Sequence, residues 1–263
     1  MTVLITGAGS GIGKAVANEF IKNGHTVYGL DIRYSENVEG MVAFTGDITS
    51  QTDMQNVKTA LESENVALDW VLNFAGAHTM SSFIEEDYEK IKRFTEINLL
   101  GAVLVNKTFH SLLKKDGKIL ITTSEVAPLE PLPFNGLYSV TKTALDAYAQ
   151  ALRQELNLLG QRVVTLRPGA IETPLAKGNA AATEALCEKT VLYKKESKYF
   201  GGIVKNFTGT PMKAEKLAKL VYKISLKKRP KYVYAKHRNV GLLLLGALPK
   251  SLQCWIVKKL VQR

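Results

Sequence analysis

Cysteine is nearly absent, with two residues, Cys187 and Cys254, in a chain of 263. Neither belongs to a metal-ligand spacing or a cluster, which excludes a disulfide framework and makes a reducing, cytoplasmic setting the expectation. Histidine is scarce too. His25, His78, His110 and His237 share no ligand spacing, so no metal is expected. No apolar run approaches the roughly 20 residues that a membrane-spanning helix needs, and no leader is expected ahead of a first strand that begins at Thr2. Repeats, low-complexity tracts and linkers are missing as well, so the chain reads as one domain, long enough to bury most of its apolar surface.

What is abundant is positive charge. The formal net charge is +11, in a chain that is 46% hydrophobic and 22% charged. Much of the surplus lies late, at Lys194, Lys195, Lys198, Lys227, Lys228, Arg229, Lys231, Lys236 and Arg238. A solvated lysine-rich face is the first explanation, and contact with an anionic membrane or acidic ligand the second. No basic stretch is interleaved with aromatics as in a nucleic-acid-binding module, so no nucleic-acid partner is expected.

Short β-branched runs alternate with segments of helical period. Strands are predicted at Val3–Ile5, Thr26–Leu30, Met41–Phe44, Trp70–Leu72, Ile119–Ile121, Val163–Leu166 and Tyr232–Tyr234. Between them, Ile12, Val16 and Phe20 form one helical stripe, and Leu217, Leu220, Val221 and Ile224 another. Ser50 with Asp53 reads as a capping pair. A long helix is predicted from Ser139 to Leu159, stopped by Gly160. This cadence implies an α/β fold, a single Rossmann-type doubly wound parallel sheet with helices on both faces.

Thr6-Gly7-Ala8-Gly9-Ser10-Gly11-Ile12-Gly13 follows the first strand and opens the first helix. Glycines there permit a tight turn and let a pyrophosphate approach the backbone, while the helix start offers free N–H groups. Gly7, Ser10, Gly11, Ile12 and Gly13 are the candidate dinucleotide contacts. Asp31 ends the second strand, where a carboxylate accepts bonds from a ribose and repels a 2′-phosphate. NAD is therefore expected, with Arg33 two residues on keeping NADP open. Asp47 and Ile48, just past the third strand, are placed to touch the adenine, although Asp47 could equally start the next helix. Tyr138-x-x-x-Lys142 puts a phenol and an ammonium on one helical face, one able to exchange a proton and the other to draw it toward ionisation. Ser124 follows the fifth strand at the sheet edge where ligands bind.

Together these residues resemble the short-chain dehydrogenase/reductase family, over at least residues 2–175. The matching elements are the Thr6–Gly13 turn, Asn73-Phe74-Ala75-Gly76, Asn98 in Ile97-Asn98-Leu99, Ser124, Tyr138 to Lys142, and Pro168-Gly169 with Thr173. The resemblance implies a catalytic tetrad of Asn98, Ser124, Tyr138 and Lys142, with Asn98 holding a water behind Lys142. It also implies that Asn73, Ala75 and Gly76 line the adenosine side, that Ile171 and Thr173 meet the nicotinamide amide, and that the protein is a homodimer or homotetramer. Two departures stand out. Ser124 lies one residue further from Tyr138 than the family spacing places it, with Glu125 at the usual count, which implies a one-residue insertion within 125–137. Phe74 replaces a small polar residue.

Pro128, Leu129, Leu132, Pro133 and Phe134 ahead of Tyr138 suit a hydrophobic secondary alcohol or ketone. The Pro-Phe-Asn-Gly stretch and the basic, apolar tail resemble the hydroxysteroid and retinol dehydrogenase branch, implying a hydroxysteroid or bile-acid-like substrate. The alternatives are an NADPH-dependent reductase of 3-oxoacyl thioesters or of carbonyls generally, and a non-catalytic NAD(P)-binding sensor. Residues 175–210 are expected to form a mobile substrate lid within a domain spanning 1–240. Residues 241–263 form an apolar, basic tail expected to pack on the domain or a subunit interface, with peripheral membrane contact ranked below that.

Overall fold

A strand buried on both faces must be apolar throughout, and Val3, Leu4 and Ile5 leave no surface exposed. In the computed structural model, which describes residues 1–36, 38–207 and 210–262, such runs form a seven-stranded parallel sheet. The elements run β1 (Thr2–Thr6), α1 (Gly11–Lys22), β2 (Thr26–Asp31), β3 (Met41–Thr45), α2 (Gln51–Ser63), β4 (Leu68–Asn73) and α3 (Tyr88–Thr95). A π-helical turn (Glu96–Leu100) leads into α4 (Gly101–Phe109) and, past a 3-10 turn, β5 (Leu113–Thr122). The remainder is α5 (Gly136–Leu158), β6 (Arg162–Pro168), β7 (Ile171–Glu172), α6 (Pro174–Lys189), α7 (Lys194–Phe207), β8 (Met212–Lys213), α8 (Ala214–Ser225), β9 (Val233–Lys236), α9 (Val240–Gly246) and α10 (Lys250–Val261).

The strand order is β3-β2-β1-β4-β5-β6-β9. Chain direction across the sheet reverses between β1 and β4, so the loops leaving these strands diverge and open a crevice at their carboxyl ends. One face is covered by α1 and α8 through Val16, Phe20, Leu217 and Val221. The other is covered by α2, α4 and α5 through Val57, Leu61, Val105, Phe109 and Leu145. The predicted Ser50 cap is present, its hydroxyl accepting the Asp53 N–H at 3.1 Å.

The structure adds to the sequence reading in three places. The long helix starts at Gly136, one turn before Ser139, because Gly136 and Leu137 are buried and packing extends the helix. The helices between β4 and β5 escaped the sequence reading: α3 is rich in charge and buries no residue fully, so its stripe is faint. Residues 175–210, expected as a substrate lid, fold largely into α6 and α7, and positions 208 and 209 lie outside the described residues. Phe134 docks these helices, its ring 5.4 Å from both Tyr193 and Phe200. Glu85 ties their connection, accepting the Thr190 hydroxyl at 2.6 Å and the N–H groups of Val191 and Leu192 at 2.7 and 2.9 Å.

Candidate active site

The crevice holds two adjoining cavities. One, of about 810 Å³, runs along the glycine turn toward Asp31, Asp47 and Ile48. The other, of about 470 Å³, lies beneath α7, α9 and α10 and contains Ser124, Tyr138 and Lys142. Ile12, Phe74, Gly76, His78, Thr173 and Leu175 border both. The two cavities therefore meet beside the phenol, as a dinucleotide and its reaction partner require.

The glycine turn is dictated by sterics. Gly7 has φ +71°, and a Cβ there would lie 2.7 Å from the Ala75 nitrogen. A Cβ on Gly13 would stand 2.1 Å from the Gly7 carbonyl oxygen. Only glycine lets β1, α1 and the segment after β4 approach so closely. Ser10 precedes α1 in an extended conformation and its side chain makes no capping bond, which leaves the first N–H groups of the helix for an anion. Ser10, Gly11, Ala75 and Gly76 all border this larger cavity. The donors and the close backbone approach fit a dinucleotide pyrophosphate.

Asp31 lies at the end of β2 in this cavity, and its carboxylate accepts the Gly9 N–H at 2.9 Å. Asp47 combines two placements. It borders the cavity, and it also starts the turn into α2 by accepting the Thr49 N–H and hydroxyl at 2.9 and 2.8 Å. Burial opposes its charge, but these bonds and Arg93 at 2.6 Å hold the Asp47 carboxyl below its ordinary range.

Asn73 requires a correction. It does not face the nucleotide cavity, because its amide turns into the core and donates to Asn106 at 2.9 Å and to the Leu120 carbonyl at 3.1 Å. It ties β4 to α4 and β5. Ile171 borders only the apolar cavity, whereas Thr173 borders both and caps α6 by accepting the Ala176 N–H at 3.1 Å.

Tyr138 lies in the first turn of α5, near enough to Ser124 for the serine hydroxyl to pull its pKa down. Ser124 and Glu125 both border the cavity beside Tyr138, and a Glu125 carboxylate oxygen accepts the Asn239 N–H. Two ties hold α5 in register with the strand ends. Asp146 pairs with Arg167 at 2.8 and 2.6 Å and accepts the hydroxyl of Thr123, the neighbour of Ser124. Thr143 donates to the Ala127 carbonyl at 2.9 Å.

The electrostatics depart from expectation. Burial pushes the Tyr138 phenol up from its ordinary value. Ser124 pulls it back in part, and the Glu125 charge raises it further. Lys142 is buried too, which lowers its ammonium to about 8. Its Nζ donates to the Thr122 carbonyl at 3.3 Å and stands 5.8 Å from the Tyr138 ring centre. Desolvation thus dominates the ionisation that Lys142 was expected to induce, and the phenol keeps its proton at neutral pH.

Asn98 sits in the π-helical turn, which breaks the α-helical spacing and aims its amide inward. Its Oδ1 accepts the Ala77 N–H at 2.7 Å, and its Nδ2 donates to the Ala77 carbonyl at 3.0 Å and to the Thr141 hydroxyl at 3.1 Å. These bonds hold the Gly76–His78 segment against Lys142. A Cβ on Gly76 would come within 3.3 Å of Asn98 Oδ1 and 3.4 Å of Lys142 Nζ.

His78, which shares no ligand spacing with the other histidines, also reaches the site. Its ring meets Tyr138 edge-on at 4.5 Å between centres, and Nε2 bonds Asn135 at 3.1 Å. Burial, foremost, and the nearby Lys142 charge lower its pKa, so at neutral pH a neutral imidazole walls the phenol. Its place two residues past Asn73–Gly76 was the available signal. Arg93 and Asp146 carried none, since their partners are far away in sequence. Among the described residues no group of His, Cys, Asp or Glu could hold a metal.

Comparison with known proteins bears on this geometry. The family model for short chain dehydrogenases matches residues 1–184. The NADPH-dependent 1-acyldihydroxyacetone phosphate reductase of Schizosaccharomyces pombe is 30% identical over 199 residues, 73% of this chain and 67% of that protein. The L-fucose dehydrogenase of Rattus norvegicus is 32% identical over 189 residues, 69% of this chain and 70% of that protein. A short-chain dehydrogenase structure from Streptomyces avermitilis superimposes with a TM-score of 0.75 at 20% identity, covering 98% of this chain and 94% of that one.

Proposed function

The chain belongs to the short-chain dehydrogenase family, an oxidoreductase fold with a nicotinamide cofactor, and from that premise we propose that it reduces a ketone on a lipidic substrate. The observation that carries this reading is the Tyr138 phenol, its pKa raised above the ordinary value, in the lining of a largely apolar cavity of about 470 Å³. Nicotinamide, when bound, supplies the hydride. The residues supply the proton and the positioning. Tyr138 donates its hydroxyl proton to the carbonyl oxygen as charge develops there. Ser124 stands beside the phenol and steadies the same oxygen. The Lys142 ammonium balances the phenolate that remains, and Asn98 keeps the Gly76–His78 segment in place behind both. The apolar wall excludes water, which strengthens each of these interactions.

The substrate reading rests on the wall. Leu132, Phe200, Leu245, Ile256, Val257 and Val261 make much of the cavity lining apolar, which favours a lipidic substrate, although Glu125, Asn135 and Asn239 also border it and one relative is a fucose dehydrogenase. The other is named for an acyl-bearing ketone. A hydroxysteroid or bile acid fits the same apolar wall, but neither relative points to it, so the proposal is a lipidic ketone rather than a sterol. Asp31 favours NAD(H), since its carboxylate opposes a 2′-phosphate. Arg33 beside it, and a relative named as NADPH-dependent, define the competing cofactor.

The test is turnover of a ketone panel followed by nicotinamide absorbance. The panel comprises long-chain acyl ketones, 3-oxoacyl thioesters, oxosteroids and sugars, each tried with NADH and NADPH. Expected is reduction of the lipidic ketones, with kcat lowered about 10²–10⁴-fold in Tyr138→Phe while cofactor affinity is kept. Cofactor binding without turnover across the panel would make the protein a sensor instead.

A further inference from the structure

We infer that the outer face of the α9–α10 pair docks on an anionic phospholipid surface, so that the cavity beneath these helices is served from the lipid interface. The argument starts from charge. From Lys216 to the end the sequence has 13 lysines and arginines and no aspartate or glutamate, whereas the preceding residues have 22 basic against 24 acidic. The whole positive surplus therefore belongs to the C-terminal segment. Along α10 and its approach, Lys250, Lys258 and Lys259 are exposed. Lys250 is paired with Glu130 at 3.1 Å.

The same helices are two-sided. Leu245, Ile256, Val257 and Val261 line the cavity, and Gln253 is buried, donating to the Leu248 carbonyl at 2.7 Å. On the outer side Val240 and Leu244 are each 67% exposed, Trp255 57% and Leu252 40%. Val240 and Leu244 are one helical turn apart on α9, as Leu252 and Trp255 are on α10, so each pair shares a face. Apolar side chains and a tryptophan, flanked by lysines with no acidic residue on the element, make up the composition of an interfacial helix. Among the described residues no helix is long and apolar enough to cross a membrane, so the contact is with the surface. The pair joins the fold at Asn239, whose N–H is held by Glu125, the neighbour of Ser124. A lipid surface against the outer face of α9 and α10 would thus be separated from the proposed site only by the helices that line its cavity.

The experiment is co-sedimentation of the full chain with phosphatidylcholine vesicles, with and without about a third phosphatidylserine, at low and high salt. Expected is binding to the anionic vesicles only, weakened by salt. Leu244→Glu with Trp255→Glu should abolish it. Lys258→Gln with Lys259→Gln should weaken it about tenfold or more, at roughly fivefold per lysine. None of these side chains borders either cavity, so cofactor affinity and circular dichroism should match wild type and certify the fold. The inference fails if the wild type ignores anionic vesicles at low salt, or binds both vesicle types alike. It also fails if sedimentation shows a dimer that Leu244→Glu with Trp255→Glu dissolves, because the face would then belong to a second copy. Ketone turnover plays no part in these readouts, so the outcome is independent of the proposed reaction.

Discussion

On one side of Ile12 and Phe74 the cleft is walled by backbone, and on the other by side chains from distant helices. The larger cavity follows the Gly7–Gly13 turn, where a single Cβ would collide with the main chain, and it ends at a carboxylate on β2. The smaller draws Leu132 from a loop, Phe200 from α7, Leu245 from α9 and Ile256 from α10. A ligand of fixed shape, such as a pyrophosphate, can be met by backbone donors whose geometry one short segment dictates. A variable hydrophobic substrate is met by interchangeable apolar side chains, and any of several helices can provide them. The nucleotide side should therefore be brittle and the substrate side forgiving.

The largest effect is expected at Gly13. A Cβ there would stand 2.1 Å from the Gly7 oxygen, so Gly13→Val should weaken cofactor binding by about 100-fold or more, or prevent folding, since backbone must move to admit it. Isothermal titration with NADH, paired with circular dichroism, separates these results. Wild-type affinity in a folded variant would erase the proposed contrast.

An intermediate effect concerns the junction of the two cavities. Tyr138 has a raised pKa, so its proton is present through neutral pH and the phenol alone gives reduction a flat profile there. Lys142, lowered to about 8, is cationic below that pH and neutral above it. Reduction should accordingly decline as pH rises through about 8, by roughly tenfold per unit, because the phenolate left behind loses its counter-charge. Lys142→Arg keeps its charge and should remove this limb even as it lowers kcat. An unchanged limb in that variant would assign the titration to another group.

The smallest effect belongs to the apolar wall. Ile256→Ala should raise KM for a long-chain ketone by several-fold to about tenfold, from the lost transfer energy of buried methylenes, with kcat nearly unchanged. A collapse of kcat would show that the substrate side shares the rigidity of the nucleotide side.

Legibility in the sequence follows the same division. The strands, the glycine turn, Asp31, Ser124 and the Tyr138–Lys142 pair could be read because each depends on neighbours within a few residues or on a short period. Asn73 was misjudged because its partners, Asn106 and the Leu120 carbonyl, lie on other elements. The helices within residues 175–210 went unread for a similar reason. Phe134 and Glu85, which hold α6 and α7, belong to distant loops. His78 gained its place against Tyr138 only through the fold of β4 toward α5.

By itself the sequence determined the parallel sheet, the glycine turn after its first strand and the placing of a phenol one helical turn from an ammonium, since local sterics and hydrophobic period suffice for these. Tertiary structure alone decided which groups are desolvated, and hence that the phenol's pKa is raised while that of the lysine is lowered to about 8. It also turned one side of the last two helices to the cavity and left the other facing outward. Burial is a property of everything packed around a residue, and no window along the chain contains it.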